Sequence, residues 1–456
     1  MPHRPRASLL ALTGAVVLLA PPTVRNRTRE ARHRVETPAA DSAFALTGVT
    51  LIDGTGGPAK PRQTIVVRNG RVADVFTDGR RPIPPGTAVR SLAGKTVIPG
   101  LIDAHVHLAT DPAGRDANAF AQLEAALQGG VTSVRDMAGD GIALAQLTAK
   151  CKDARDACPR IHFAALFAGP TFFDDPRARA SAHGATPGEL AWQRAVSATT
   201  DIPRVITEAR GTGATGIKLY ADLTPALADA LTREAIRQGM RVWSHAALYP
   251  ARPSDLVRAG VHTLSHTMLL AWDADSANMP TRYADRTPRA PYASVPATSP
   301  QLATLLTLMK QRGTILDATL WVTQQIEGAP PGAGGFAEPK RAAEWAFAVT
   351  RLAHGMGVKV GAGTDGMMAR SSDGMPNIHT EMELLVSRSG FTPLEAIRAA
   401  TVINAEILGR ANDVGVIAVG RMADLVVLSA DPTADIRNTR TVVEVYKAGV
   451  RHRAAE

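Results

Sequence analysis

Strand-like alternation of apolar and polar residues runs through residues 44–97 and returns near the C-terminus. Glycine and aspartate punctuate the first stretch, for example in FALTGVTLIDG, and the same texture reappears in ADLVVLSADP and TVVEVYKAGVRH. We expect these two β-rich pieces to pair. They predict one small β-sandwich domain built from both chain ends, residues 44–97 plus 413–453.

The middle of the chain, residues 98–412, alternates apolar strand runs with helical periods. Its eight strand candidates are IPGLIDAHVHL, VTSVRDM, IHFAALFAG, GIKLY, MRVWSHA, VHTLSH, GTILDATL and VKVGAGTD. Eight alternating β and α units favour an α/β fold with a closed parallel (β/α)8 TIM-like barrel. An open, doubly wound sheet is the alternative.

Several helices between these strands have readable ends. The expected helices are an apolar stripe in 116–130 that stops at Gly129-Gly130, one from Thr224-Pro225 to near Gly239, Gln301–Arg312 ending at Gly313, Arg341–Met356, and one opened by the capping box Thr392-Pro393-Leu394-Glu395.

The first 22 residues differ from the rest. A basic start, MPHRPR, precedes the uncharged stretch ASLLALTGAVVLLA, which is too short for an ordinary transmembrane helix and typical of a secretory signal. We expect residues 1–22 to be a signal peptide and the Arg-rich residues 23–43 a linker. This predicts a periplasmic or secreted protein with no membrane span after maturation; a cytoplasmic protein is the alternative.

The net charge of +9 does not indicate a nucleic-acid-binding protein. Residues 1–40 carry seven arginines and two glutamates, which account for +5, so the other 416 residues carry only +4. No later basic cluster is interleaved with aromatic residues. Binding of nucleic acid or membrane by the leader stays an alternative, and it predicts a strong salt dependence.

The two cysteines, Cys151 and Cys158, have no neighbouring histidine cluster, so a zinc knuckle is not expected. On one continuous helix they would lie roughly 10 Å apart along the axis, too far for a disulfide. Pro159 suggests that the helix ends earlier, and a bent loop can then bring the thiols together. In an exported protein we expect a local disulfide here.

Metal-ligand residue types stand where five of the predicted strands end. The first strand ends in His105-Val106-His107, and alternation places both imidazoles on one face. The remaining candidates are Lys218, His245, His266 and Asp365. In a closed barrel all six side chains meet at the rim formed by the carboxyl ends of the strands, where barrel active sites lie.

The motifs PGLIDAHVHL, GIKLY, SHA, SH and AGTDG, in this order, resemble the amidohydrolase superfamily, with its imidazolonepropionase- and Xaa-Pro-dipeptidase-like branch as the nearest match. GVTSVRDMAG and the C-terminal stretch from HTEMELL to LVVLSADP are similar to that branch too. The resemblance extends over about residues 44–452.

This resemblance implies two divalent metal ions, expected to be zinc, with manganese or cobalt left open. It implies that His105, His107 and Asp365 bind one ion, that His245 and His266 bind the other, and that an N6-carboxylated Lys218 bridges both. A bridging hydroxide then attacks an amide carbonyl. Asp365 is implied as the catalytic residue that takes the proton and delivers it to the leaving nitrogen.

Three further residues are candidates for catalysis or substrate binding. Tyr220 follows Lys218 by two positions, so it shares that face of the strand, and it resembles a tyrosine that the branch uses near the substrate. His183, in ASAHGATPG, resembles a histidine that contacts the scissile carbonyl. His379, in NIHTEMELL, is a candidate for the pocket wall or a histidine that begins a helix.

We therefore expect a hydrolase of amide bonds in small molecules such as dipeptides or N-acyl amino acids. Assembly of this chain into a homo-oligomer is left open. Alternatives are a mononuclear cyclic-amide hydrolase or deaminase, against which Lys218 argues, and hydrolysis of a lactone or organophosphate ester. A non-catalytic scaffold on the same fold is the alternative from another class. Residues 271–299, rich in proline, aspartate and arginine, are a candidate lid.

Overall fold

The structure is a computed structural model, and it describes residues 43–110, 117–287, 290, 292, 294–366 and 373–453. The predicted signal peptide and all but the last residue of the predicted linker lie outside the described residues. Within the described ranges, no helix combines the length and the apolar character that crossing a bilayer requires.

The strands of the described residues fall into a group near each chain end and a group between them. In chain order they are β1 Phe44–Leu51, β2 Lys60–Arg68, β3 Arg71–Thr77, β4 Ala88–Ser91, β5 Thr96–Pro99, β6 Leu101–Val106, β7 Val131–Asp136, β8 Arg160–Ala168, β9 Glu189–Leu190, β10 Gln193–Ala195, β11 Gly216–Leu219, β12 Arg241–His245, β13 Thr263–Ser265, β14 Ile315–Asp317, β15 Val360–Gly361, β16 Leu425–Leu428, β17 Val442–Lys447 and β18 Val450–Arg453.

The α-helices lie mainly between the strands of the second group. They are α1 Ala117–Gln128, α2 Gly141–Lys150, α3 Pro176–Ala180, α4 Ile202–Gly211, α5 Pro225–Arg237, α6 Pro253–Ala259, α7 Ala271–Ala274, α8 Pro300–Arg312, α9 Leu320–Glu327, α10 Pro339–Gly355, α11 Ile378–Ser389, α12 Pro393–Arg398 and α13 Asn404–Ile407. A π-helical turn, Ala399–Ile403, joins the last two.

Both chain ends contribute to one sheet with the strand order β18-β17-β16-β5-β1-β2-β3, in which β4 also pairs with β1. The two ends meet where β16 runs antiparallel to β5, with Val97 opposite Val427. Both valines are fully buried in a core that this sheet forms by itself. The alternating pattern therefore folds as the sequence predicted, although β4 was not anticipated.

The middle of the chain forms the predicted parallel barrel, in the order β6-β7-β8-β11-β12-β13-β14-β15. The two edge strands meet through a parallel bridge between Val106 and Gly366. In addition, the amide of Ala104 donates to the carbonyl of Ala362 at 3.1 Å. All eight predicted strands are present and the (β/α)8 fold class is confirmed; the short β9–β10 hairpin was not predicted. The domain limits themselves stay a prediction.

Helix boundaries follow the signals expected from the sequence. Helix α5 begins after Thr224, whose hydroxyl accepts from the amide of Leu227. Helix α8 ends at Gly313, where a φ of 72° places the residue in the left-handed region that glycine adopts without strain. Helix α12 has the predicted capping box between Thr392 and Glu395.

Helix α2 ends at Lys150, and this frees the loop that follows it to bend. Cys151 and Cys158 form a disulfide there, with 5.6 Å between their Cα atoms. Lys447, on β17, is fully buried against the loop, and its Nζ donates to the carbonyls of Cys151 and Asp153 at 3.0 and 2.7 Å. The loop therefore anchors the C-terminal sheet to the barrel.

Candidate metal centre

Two histidines at the end of β6 converge on one carboxylate, as the HxH spacing predicts. His105 is fully buried, and its Nε2 lies 3.1 Å from Oδ1 of Asp365. The Nε2 of His107 lies 3.0 Å from the same oxygen. The side chains of His107 and Asp365 are about one-fifth exposed, so the carboxylate stands between the barrel interior and solvent.

Backbone geometry at two strand ends aims the remaining members of this cluster. His266, just after β13, has a φ of 73°, and Asp365, beyond β15, has a φ of 54°; non-glycine residues rarely adopt such values, and they concentrate at functional sites. The amide of Asp365 donates to the carbonyl of His105 at 2.8 Å. One ligand atom from each of His105, His266 and Asp365 lies within 4.8 Å of the others.

Lys218, on β11, and His245, at the end of β12, extend this cluster. The His245 ring lies 4.6 Å from the His266 ring and 4.3 Å from the Tyr220 ring, centroid to centroid. Lys218 is 1% exposed, and its Nζ donates to the carbonyl of Met137 at 3.1 Å. The structure thus brings the predicted residues to one end of the barrel; their roles as ligands stay a prediction.

The electrostatics of the cluster suit a cation. Burial, helped by the charges of His105 and Lys218, lowers the pKa of His266 to about 3, so its imidazole is neutral and offers a lone pair. Burial also lowers the pKa of Lys218 to about 8. Among the described residues, the buried Nδ1 of His245 has no hydrogen-bond partner, and the buried Nε2 of His105 faces Asp365 Oδ1 at 3.1 Å without hydrogen-bond geometry. These nitrogens fit a metal ion that would complete their coordination.

Three buried residues that were not predicted from the sequence support the cluster: Asp317, Arg135 and Asp136. Asp317, at the end of β14, accepts from Nδ1 of His105 at 2.8 Å and from Arg135 at 2.7 Å. Asp136, at the end of β7, accepts from the amide of Leu108 at 2.5 Å. A carboxylate at the end of a strand is the same signal that marked Asp365, and it was available in ILDATL and SVRDM.

A cavity of about 220 Å³ opens beside the cluster. Its floor includes His245, His266 and Asp365. One wall is apolar and consists of Met268, Leu269, Val322, Ile326 and Phe336.

The cavity also has a polar lining, which includes Arg177, Tyr220 and Tyr283. The hydroxyl groups of Tyr220 and Tyr283 lie 3.2 Å apart, and Arg177 donates to the Tyr283 hydroxyl at 3.1 Å. Tyr283 belongs to the segment 271–299 that the sequence marked as a candidate lid. The cavity therefore presents an apolar face and a hydrogen-bonding face to a small molecule.

Comparison with known proteins assigns the family. Residues 96–451 match the model of the Amidohydrolase family. The chain belongs to the amidohydrolase family. This amidohydrolase is accordingly a hydrolase that acts on carbon–nitrogen bonds.

Individual relatives are distant in sequence. Ochratoxinase of Aspergillus niger is 25% identical over 88% of this chain and 84% of its own. N-acyl-D-aspartate deacylase of Alcaligenes xylosoxydans xylosoxydans is 40% identical, but the match spans only 15% of this chain and 13% of that protein.

Solved structures share the fold across nearly the whole chain. The crystal structure of A. niger ochratoxinase has a TM-score of 0.71 at 20% identity, covering 91% of this chain and 97% of its own. A Xaa-Pro dipeptidase with bound methionine in its active site has a TM-score of 0.69 at 21% identity, covering 90% and 100%.

Two other predicted residues of this amidohydrolase lie outside the cluster. His183, on the loop after β8, pairs through Nε2 with the buried carboxylate of Asp140, and its side chain is 40% exposed. His379 is fully buried, and its two ring nitrogens lie 2.9 Å from Thr439 Oγ1 and from the carbonyl of Gly129. Gly129 precedes β7 at its amino end, so His379 lies opposite the cluster, at the start of α11, where the helix-start alternative places it.

Proposed function

We propose that this amidohydrolase is a metal-dependent hydrolase of amide bonds in small substrates, such as dipeptides or N-acyl amino acids. The observation that carries the proposal is the convergence of His105, His266 and Asp365, of which His266 and Asp365 line a cavity. Beside them the buried Nδ1 of His245 has no hydrogen-bond partner among the described residues. Neutral imidazoles and a carboxylate are the donors that zinc prefers in hydrolytic sites.

The proposed centre holds two divalent ions. His105, His107 and Asp365 would hold one ion and His245 and His266 the other, and Lys218, once carboxylated at Nζ, would supply further oxygen ligands. Burial supports this modification, because a pKa of about 8 leaves a fraction of the Lys218 amine neutral and able to react with CO2. A bound pair of ions supplies a nucleophilic hydroxide at neutral pH and polarises the substrate carbonyl.

Asp365 is proposed to carry the proton between the two steps of the reaction. His105 and His266 hold the pKa of Asp365 well below its ordinary value despite burial, so the group begins as a carboxylate. Its Oδ1 faces His105 and His107, and it is positioned to accept a proton at the floor of the cavity. Returning that proton to the amide nitrogen lets the amine leave.

Tyr220 and His183 are proposed to orient the substrate. The Tyr220 hydroxyl lines the cavity beside His245, where it is available to a polar group of the substrate. His183 is held by Asp140 on the same side of the barrel, after β8. The apolar wall then receives a hydrophobic side chain or acyl group. Amide hydrolysis also agrees with the similarity to a Xaa-Pro dipeptidase and, over a short stretch, to an N-acyl-D-aspartate deacylase.

We propose that the protein is exported. The Cys151–Cys158 disulfide supports this location, because disulfides persist in oxidising compartments such as the periplasm. The signal-like sequence of residues 1–22 supports it independently.

The proposal is tested by screening zinc-loaded protein against a library of dipeptides and N-acyl amino acids, with quantification of the released amino acid. The variants are His105→Ala and, as a matched control, His354→Ala. His354 stacks on Phe391 at the C-terminal end of α10, which leads to the amino end of β15, opposite the cluster. We expect release by the wild type and by the control, and a loss of at least about 10³-fold for His105→Ala. No release from any amide, or full activity in His105→Ala, would contradict the proposal.

A further inference from the structure

Arg135 is a charged residue in the interior of the barrel. It lies on β7, its side chain is fully shielded from solvent, and its guanidinium lies 4.9 Å from the ring centroid of Trp243. Buried arginines are rare because removing the charge from water is costly unless a partner compensates for it. Here the partner is Asp317, whose Oδ2 accepts from Arg135 Nη2 at 2.7 Å.

The same oxygen of Asp317 also holds a candidate metal ligand. It accepts from Nδ1 of His105 at 2.8 Å and from Oγ of Ser265 at 2.8 Å. A proton on Nδ1 leaves the lone pair of His105 on Nε2, the atom that lies 3.1 Å from Asp365. Asp317 thereby fixes both the tautomer and the ring orientation of His105.

Arg135 contacts His105 by a second route. Its Nε donates to the carbonyl of Ala104, the residue that precedes His105 on β6. One guanidinium therefore holds the backbone next to His105 and the carboxylate that orients its ring. Few other side chains have this reach, because the planar fork of arginine offers several donors in fixed directions.

The charge of Arg135 acts on Asp317 as well. Both side chains are fully buried, and the guanidinium compensates the charge of the carboxylate at 2.7 Å. An ionised carboxylate accepts hydrogen bonds only, as the Nδ1–H group of His105 requires.

We propose that Arg135 is a positioning residue for metal binding, which it supports by clamping the Ala104 carbonyl and Asp317 so that Nε2 of His105 points at the ion. The inference rests on the metal-dependent function proposed above. It concerns a residue that touches neither the ion nor the substrate and acts only through His105.

The test measures metal affinity by chelator competition on folded protein, together with kcat and KM at equal metal loading. The variants are Arg135→Met and Arg135→Lys, and the matched control is Arg160→Met. Arg160 also pairs with a buried carboxylate, Asp424, at 2.5 and 3.1 Å, but it stands at the amino end of β8, away from the cluster.

We expect Arg135→Met to weaken metal binding about 10–100-fold, the range for loss of a group that orients a ligand. Arg135→Lys keeps the charge without the fork and should fall between Arg135→Met and the wild type. Arg160→Met should bind metal like the wild type even where it is less stable. If Arg135→Met does not fold, Arg135→Lys alone carries the test, and wild-type affinity in that variant overturns the inference.

The double variant Arg135→Met/Asp317→Asn separates positioning from simple charge pairing. Removing both charges relieves the cost of an unpaired buried ion, so stability should recover relative to Arg135→Met. Metal affinity should stay low, because His105 has lost its orienting carboxylate. Recovery of both stability and affinity would overturn the inference. A wild type that binds no metal would instead refute the proposed function.

Discussion

Asn404 closes the barrel, and replacing it with alanine should destabilise the whole fold. Its side chain is fully buried on α13, and its Nδ2 donates to the carbonyls of Ile102 and Ala362, both at 2.6 Å. Its Oδ1 accepts from the amide of Ala362 at 3.1 Å. Ile102 lies on β6 and Ala362 follows β15, so one side chain joins the first and last strands of the barrel.

The magnitude follows from these three bonds. Each contributes about 1 kcal/mol, and a buried group left without its partner costs about 1–3 kcal/mol more. The carbonyl of Ala362 still accepts from Ala104, which limits the loss. We therefore expect Asn404→Ala to lower the free energy of unfolding by about 3–4 kcal/mol. Asn404→Asp, which has nearly the same shape but no donors, should be at least as destabilising.

Urea denaturation followed by circular dichroism measures this effect, with Asn278→Ala as the control. Asn278 makes one exposed hydrogen bond, from Nδ2 to Asp275 at 2.8 Å, so its loss should cost less than about 0.5 kcal/mol. Metal affinity of Asn404→Ala should fall too, because β6 carries His105 and β15 leads to Asp365. Equal midpoints for Asn404→Ala and the control would refute this account of barrel closure.

Three further predictions address other parts of the molecule. Replacing Cys151 and Cys158 with alanine should cost about 2 kcal/mol in urea denaturation, as loop entropy predicts for so short a loop, and dithiothreitol should no longer affect the variant. Burial lowers the pKa of His379 to about 4, so His379 takes up a proton in the unfolded chain before it does in the folded protein as the pH falls. The free energy of unfolding should therefore be highest above pH 6.5 and fall by about 3 kcal/mol toward pH 4. His379→Gln should flatten that pH profile and leave kcat unchanged; a lower kcat would place His379 in the reaction after all. Ile326→Ala should raise KM about 5–30-fold for substrates with a large apolar group and little for glycine-containing ones, and an equal change for both would exclude the apolar wall as the determinant.

Much of the fold was predictable because its signals are local. Eight apolar runs separated by helical periods indicate the barrel, and caps such as Thr224 and Gly313 set helix ends within one or two residues. The short strand β4 was missed because Ala88–Ser91 is almost wholly exposed and carries no alternation. Its place in the sheet depends on pairing with β1, which the sequence of β4 does not reveal.

The candidate site was likewise predictable from local signals and unpredictable where it depends on tertiary contacts. His105, His107 and Asp365 were identifiable because ligand residue types at strand ends converge in any closed barrel. Asp317 and Arg135 carry the same residue-level signals, but their importance comes from contacts across the barrel interior, 182 positions apart in the chain. The position of His379 depends on tertiary packing against Gly129, so its neighbours in sequence gave no warning that it lies at the opposite end.

We propose that the cluster around Asp365 holds two metal ions and that this chain requires them for amide hydrolysis. The most direct measurement is titration of metal-free protein with zinc in bicarbonate buffer, following amide hydrolysis and bound metal together. We expect activity to rise to a plateau at two equivalents of zinc per chain, and we expect Lys218→Ala to bind fewer ions. Full activity at one equivalent, or without added metal, would contradict it.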